Sequence, residues 1–147
     1  MEILKKDIGV KRIYFLSDIH IKNDLSFNDT YYKVFNNTFE LFKKEKVNKN
    51  DLIVITGDIM DNGFAVSGNA IAMAKFLYVN LSNFCPVISI LGNHDYGDYK
   101  QWASPEEKRK NLESLKSVHA EMGWRLLLNE HVVLKKETDE FALIGIE

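Results

Sequence analysis

Three stretches of the chain run apolar and then stop at loops that carry acids or histidines. Arg12 to Ser17 leads into Asp18-Ile19-His20, Leu52 to Thr56 into Gly57-Asp58-Ile59-Met60-Asp61, and Val87 to Leu91 into Gly92-Asn93-His94-Asp95. Each is short and apolar at consecutive positions, and the third, between Pro86 and Gly92, is rich in β-branched residues, which predicts strands buried on both faces. Between the first two, Tyr32, Val34, Phe35, Phe39, Leu41 and Phe42 recur at three- and four-residue steps. That spacing predicts an amphipathic helix over Tyr31 to Lys46, capped by Asp29 or Thr30 and basic at its end, as the helix dipole favours. Its aromatic stripe is read as the face that packs on the sheet. A second helix is predicted over Asn69 to Leu81, and this alternation of strand and helix is the rhythm of an α/β fold.

Punctuation along the rest of the chain is mostly turn chemistry. Asn62 to Gly68 is flexible by composition, and Tyr96 to Trp102 is aromatic, irregular and placed beside the third polar loop, a candidate substrate-facing flap. Ser104-Pro105-Glu106-Glu107 places a serine cap, a first-turn proline and a glutamate three residues after the cap, the pattern of a capping box. The helix it starts should run to about Met122 and end at Gly123. Arg125 to Leu128, His131 to Lys135 and Phe141 to Ile146 predict three short strands, the last two joined at Glu137 to Glu140. His119 and His131 are read as structural.

Composition narrows the class. A chain of 147 residues, 46% of them hydrophobic, is sized for one domain over 1–147 with a real core. The net charge of −2, with a pI near 6.1, provides no global basic field for nucleic acid or anionic lipid. Cys85, the one cysteine, excludes an internal disulfide framework and is read as a small buried residue. No stretch approaches the roughly 18 apolar residues that span a bilayer, and the charged N-terminus lacks a secretory h-region. The expected location is the cytoplasm.

The three polar loops carry the chemistry. Asp18 and His20, one residue apart after a strand, can chelate one cation, and Asp58 can bridge it to a second about 3.5 to 4 Å away that takes the amide oxygen of Asn93. Carboxylate and imidazole donors together suit manganese first, with iron and zinc as alternatives, whereas calcium and magnesium prefer oxygen alone. Two divalent metal ions would lower the pKa of a shared water toward neutrality and provide a hydroxide nucleophile. His94 is expected to pass a proton to the leaving oxygen, with Asp61 orienting its ring. Gly57 and Gly92 would allow tight backbone turns at the site.

Asp18-Ile19-His20, Gly57-Asp58-Ile59-Met60-Asp61 and Gly92-Asn93-His94-Asp95 together resemble the first three signature blocks of the calcineurin-like metallophosphoesterases. The resemblance implies a four-layer α/β/β/α sandwich with mixed sheets. It also implies one metal on Asp18, His20 and Asp58, a second on Asp58 and Asn93, and His94 with Asp61 as the groups that assist the leaving oxygen. Up to Gly92-Asn93-His94-Asp95 the sequence resembles phage and viral repair-nuclease-like members; from Tyr96 onward it looks more like bacterial phosphohydrolases of the lipid-precursor type. Family members carry a later Gly-His-x-His block, which this sequence does not reach by Glu147. The resemblance therefore covers the N-terminal part of the family domain.

The leading expectation is metal-dependent hydrolysis of a phosphate monoester or diester. A nuclease-like phosphodiesterase acting on DNA is a second reading, against which the near-neutral charge counts. A third is a shortened, non-catalytic module that binds metal weakly or pairs with a second copy through exposed sheet edges.

Overall fold

The β2 strand, Leu52–Ile55, is buried along its whole length, and the other elements are laid against its two faces. The computed structural model describes residues 10–22, 24–61 and 68–146. In chain order the elements are β1 (Ile13–Leu16), α1 (Asn28–Lys44), β2, α2 (Gly68–Phe84), β3 (Val87–Ser89), α3 (Pro105–Glu121), β4 (Arg125–Leu126), β5 (Glu130–Lys136) and β6 (Asp139–Gly145). The first four strands form a parallel sheet in the order β1-β2-β3-β4, and β5 pairs with β6 as an antiparallel hairpin. A parallel neighbour cannot be reached by a tight turn, so each of the first three strand-to-strand connections carries a helix.

Side-chain alternation along the strands assigns two cores. Ile53, Ile55 and Val87 pack with Phe35, Phe39, Phe42, Met73, Leu77 and Tyr78 of the helices. Their neighbours Leu52, Val54 and Ile88 face the other way and pack with Val10, Leu127, Val132 and Leu134. Helix layer, parallel sheet and hairpin are therefore stacked in that order; among the described residues no helix covers the far side of the hairpin. There Ile144 and Ile146 remain exposed, as does Phe15 on β1. A fully buried aliphatic side chain contributes roughly 2 kcal/mol, so truncating any one of the four in β2 would remove a sizeable part of a net stability that is typically about 5–15 kcal/mol.

Element boundaries moved where local hydrogen bonding outweighed periodicity. Leu25–Phe27 forms a 3-10 turn capped by Asp24, whose side chain accepts from the Ser26 amide, and it runs directly into α1. The helix thus begins at Asn28, before the predicted Tyr31; Asp29 lies in its first turn and Phe27, not Asp29 or Thr30, is at the cap. Helix α3 starts as the sequence predicts, with Ser104 accepting from the Glu107 amide at 3.1 Å. The Glu107 carboxylate reaches one residue further back, to the Ala103 amide at 2.9 Å. The third strand ends at Ser89 and β4 spans only two residues. The flexible loop expected after Asp61 lies outside the described residues up to Gly68, which opens α2. No described helix is long and apolar enough to cross a membrane.

At the far end of α3, His119 is a core residue, 1% exposed. Its Nδ1 lies 2.8 Å from the Ser89 hydroxyl, and its Nε2 has no hydrogen-bond partner among the described residues. Burial lowers its pKa from the ordinary 6.5 to about 4. Cys85, likewise enclosed, has its thiol pushed up to about 11 by burial and stays protonated.

The His119 imidazole is held neutral in the fold, so its contribution is complete above pH 6.5, where the unfolded chain is also neutral. It is lost as pH falls from about 6.5 to about 4, because the unfolded chain gains a proton that the folded chain refuses. A displacement of this size corresponds to roughly 3 kcal/mol. Urea unfolding at pH 7.5, 6, 5 and 4 should show that decline. His119→Asn, which keeps a partner for Ser89 without titrating, should flatten the slope across this window.

Candidate metal centre

The carboxyl ends of β1, β2 and β3 lie side by side, and so do the loops that leave them. Beyond the strands the first two loops stay zipped together: the His20 amide donates to the Asp58 carbonyl at 2.9 Å, Ile21 to Ile59 at 2.8 Å, and the Asp61 amide returns to Ile21 at 3.0 Å. This extension carries Asp18 and His20 alongside Asp58 and Asp61. Helix α1 braces it, since the Tyr31 hydroxyl donates to the His20 carbonyl at 2.6 Å and accepts from the Lys22 amide at 3.1 Å.

The third loop joins by close backbone approach. Gly57, at φ +90°, lies so near Gly92 that a Cβ would overlap the Gly92 backbone, and a Cβ on Gly92 would overlap the Asp58 carboxylate. Two glycines are therefore required for the Asp58 and Asn93 loops to meet. The contact brings the His94 amide to the Asp58 carboxylate, to which it donates at 2.9 Å.

Beneath these loops lies Asp95, fully buried. Its Oδ2 accepts from the amides of Asp58 and Gly92, each at 2.9 Å, and its Oδ1 from the Met60 amide at 3.2 Å. Burial pushes the Asp95 carboxyl up and the nearby charge of Asp58 adds to this, while the three amides oppose it. One side chain thereby fixes the loops after β2 and β3 to each other.

At the surface of this scaffold the predicted side chains gather. The carboxylate and imidazole donors of Asp18, His20 and Asp58 lie within 4.8 Å of one another, and so do those of His20, Asp61 and His94. His20 belongs to both groups. Its Nε2 is 3.7 Å from Asp18 Oδ1 and its Nδ1 is 3.8 Å from Asp61 Oδ1, which is also 3.6 Å from His94 Nδ1. These separations exceed a hydrogen bond. The His94 ring meets that of His20 edge-on at 4.6 Å between centroids. Asn93 stands apart from the donor groups: its side chain is exposed and its amide nitrogen donates to the Tyr99 hydroxyl at 2.8 Å.

The donor set fits a divalent cation. Three carboxylates converge, and among the described residues the ion pairs of Asp18 and Asp61 are with histidines; that concentration of negative charge favours a cation. His94 Nδ1 is buried with no hydrogen-bond partner among the described residues, and a buried polar atom left unpaired costs free energy. Asp18, His20 and Asp58 also hold left-handed backbones, with φ of 53°, 48° and 53°. Non-glycine residues adopt this region at a cost, and strain of this kind concentrates at functional sites. Mixed oxygen and nitrogen donors suit manganese, iron or zinc.

Three residues that position the site carry no role in the sequence pattern. Asp95 looks like the third polar group of its loop, Tyr31 like the first residue of the predicted helix, and Tyr99 like one aromatic among several. Their partners are backbone amides and carbonyls, or side chains brought close only by folding, so no spacing rule could find them.

A family model described as calcineurin-like phosphoesterase matches residues 11–140. Over 86 residues, 58% of this chain, the sequence is 40% identical to an uncharacterized protein of Acanthamoeba polyphaga mimivirus, of which the matched part is 6%. Among solved structures, a phosphopantetheinyl hydrolase from Mycobacterium tuberculosis aligns with a TM-score of 0.53 at 15% identity, over 95% of this chain and 43% of that one. The chain thus spans less than half the length of either protein.

Replacing Asp95 should be costly in a graded way. Asp95→Asn can keep two acceptor bonds at Oδ2 but sets an NH2 group against the Met60 amide, for a loss of about 2 kcal/mol; Asp95→Ala strands three buried amides and should lose about 4 kcal/mol. Chemical denaturation of both variants measures the order. Equal stability of Asp95→Ala and the parent would show that the carboxylate does not hold the loops.

Proposed function

The chain belongs to the calcineurin-like phosphoesterase family, whose model it matches over residues 11–140, and on that premise we propose that its site hydrolyses phosphate mono- or diesters with two divalent cations. The observation that carries this reading is the convergence of Asp18, His20, Asp58, Asp61 and His94 at three adjacent strand ends. Asp18, His20 and Asp58 would hold one cation, and Asp58 with the amide oxygen of Asn93 the second, manganese being the first choice for this donor set. When bound, such ions polarise a phosphoryl group and acidify water.

The protein's own groups do the rest. Asp58 is steadied by the His94 amide, so the residue shared between the two cations is tied to the loop that bears the proton-handling histidine. His94 would give a proton to the leaving oxygen, and Asp61, 3.6 Å from Nδ1, would set the ring's tautomer and orientation. The same geometry admits one other assignment. Because His20, Asp61 and His94 also form a compact donor group, His94 could be a ligand instead of an acid. We further read residues 1–147 as a single metallophosphoesterase domain, N-terminal in the family's order of motifs, and place it in the cytoplasm.

The experiment is hydrolysis of p-nitrophenyl phosphate, its bis-ester and labelled DNA by purified protein, with each divalent ion added after chelation. Activity should appear with manganese and vanish in Asp58→Asn together with bound metal. His94→Ala should lose about 10²- to 10⁴-fold in kcat, the usual worth of a general acid, while retaining both ions by metal analysis. A fall in metal content in His94→Ala would make it a ligand. Inactivity of the parent with every ion and every ester would overturn the reading, and preferential cleavage of DNA would turn it toward a nuclease.

A further inference from the structure

The segment after His94 is built, not merely tethered. The Gly97 amide donates to the His94 carbonyl at 3.0 Å, and the Trp102 indole nitrogen donates to the Gly97 carbonyl at 2.7 Å. Gly97 has φ +69°, and a Cβ there would press on the Trp102 ring. Asp98 pairs with Lys108 on α3, and the Lys100 ammonium sits 4.4 Å from the centroid of the Trp102 ring. The loop so fixed places Tyr99 against Asn93 and His94 at the third strand end. The Tyr99 ring lies on that of His94 at 4.5 Å between centroids and 25° between planes, and its hydroxyl accepts from Asn93 Nδ2 at 2.8 Å. An exposed tyrosine, 63% accessible, would ordinarily be solvated; this one spends one ring face and its hydroxyl on two site residues.

We propose that Tyr99 is a positioning residue, which holds the Asn93 amide and the His94 imidazole in the orientation the site needs. The proposal rests on the metal reading above for its functional consequence. An amide can present oxygen or nitrogen to a cation, and only oxygen ligates. A hydroxyl partner at the nitrogen end fixes the amide plane and leaves Oδ1, which accepts no hydrogen bond among the described residues, for the second cation. Such outer partners of ligands are worth about 10- to 100-fold in metal affinity. For His94 the constraint is steric and π-stacked: His20 meets the ring edge-on and Tyr99 stacks on it, so the imidazole is held between two rings.

Two variants separate these roles, and because the side chain is largely exposed both should fold. Tyr99→Phe keeps the stack and loses the amide partner; Tyr99→Leu loses both. Calorimetric titration with manganese should show one of two binding events weakened about 10-fold in Tyr99→Phe, the other unchanged. In the metal-free protein, NMR should show slowed exchange of the Asn93 side-chain amide protons, lost in Tyr99→Phe. Tyr99→Leu should lose more kcat with alkyl than with p-nitrophenyl phosphodiesters, because the proton from His94 matters most for the poorer leaving group. Parent-like manganese binding and parent-like Asn93 protons in Tyr99→Phe would overturn the proposal, as would equal weakening of both events. If the parent bound no manganese while the Asn93 protons still responded to Tyr99→Phe, the metal reading would fail and the positioning role would stand.

Discussion

The buried carboxylate of Asp95 accepts from the amides of Asp58, Met60 and Gly92, and the geometry of the centre depends on that bond set. Loops at strand ends have amides that no strand partner satisfies. Here three of them turn inward onto one acceptor, which removes three unpaired donors and couples the second loop to the third. A buried charge is expensive without such partners; with them it is a rigid joint. The Gly57–Gly92 contact is compatible with that joint, since the amides converge only if the two backbones nearly touch.

A second clamp works at the opposite end of the sheet. The Arg12 guanidinium donates to both oxygens of fully buried Asp51 at 3.1 and 2.9 Å, and this pairing holds the Asp51 carboxyl below its ordinary range. β1 and β2 are therefore tied at their start by this ion pair and at their end by the paired loops. Between the two runs the parallel backbone ladder of β1 and β2, with its side chains packed on either face. Left-handed conformations at Asp18, His20 and Asp58 are tolerable in this setting because each sits in a segment whose ends are already fixed.

The two faces of the parallel sheet do different work. The helix face buries Phe35, Phe39, Phe42 and Tyr78 of α1 and α2, and also the neutral His119 next to Ser89. The hairpin face is thinner, with Val132 and Leu134 as its principal inward side chains. The larger core thus lies on the helix side, and it is α1, through Tyr31, and α3, through the Lys108–Asp98 pair, that reach up to brace the first and third loops.

By itself the sequence determined the strands that end in Asp18-x-His20, Gly57-Asp58-x-x-Asp61 and Gly92-Asn93-His94, the helices between them and the serine cap of α3, because apolar runs, helical periodicity and capping chemistry are local. It pointed to the family for the same reason: the three blocks are contiguous. Helix α1 began three residues early because the Asp24-capped turn, a hydrogen-bonded detail, outranked the apolar stripe. Only the tertiary structure decided that Asp95 serves as the joint, that Tyr31 steadies the His20 loop, and that Tyr99 meets Asn93 and His94. It also revealed that Asp61 lies nearly as close to His20 as to His94. Those relations join residues from different strand ends, or a side chain to a backbone group many positions away. Such contacts are set by how the sheet brings its loops together, and no pattern read along the chain contains that distance.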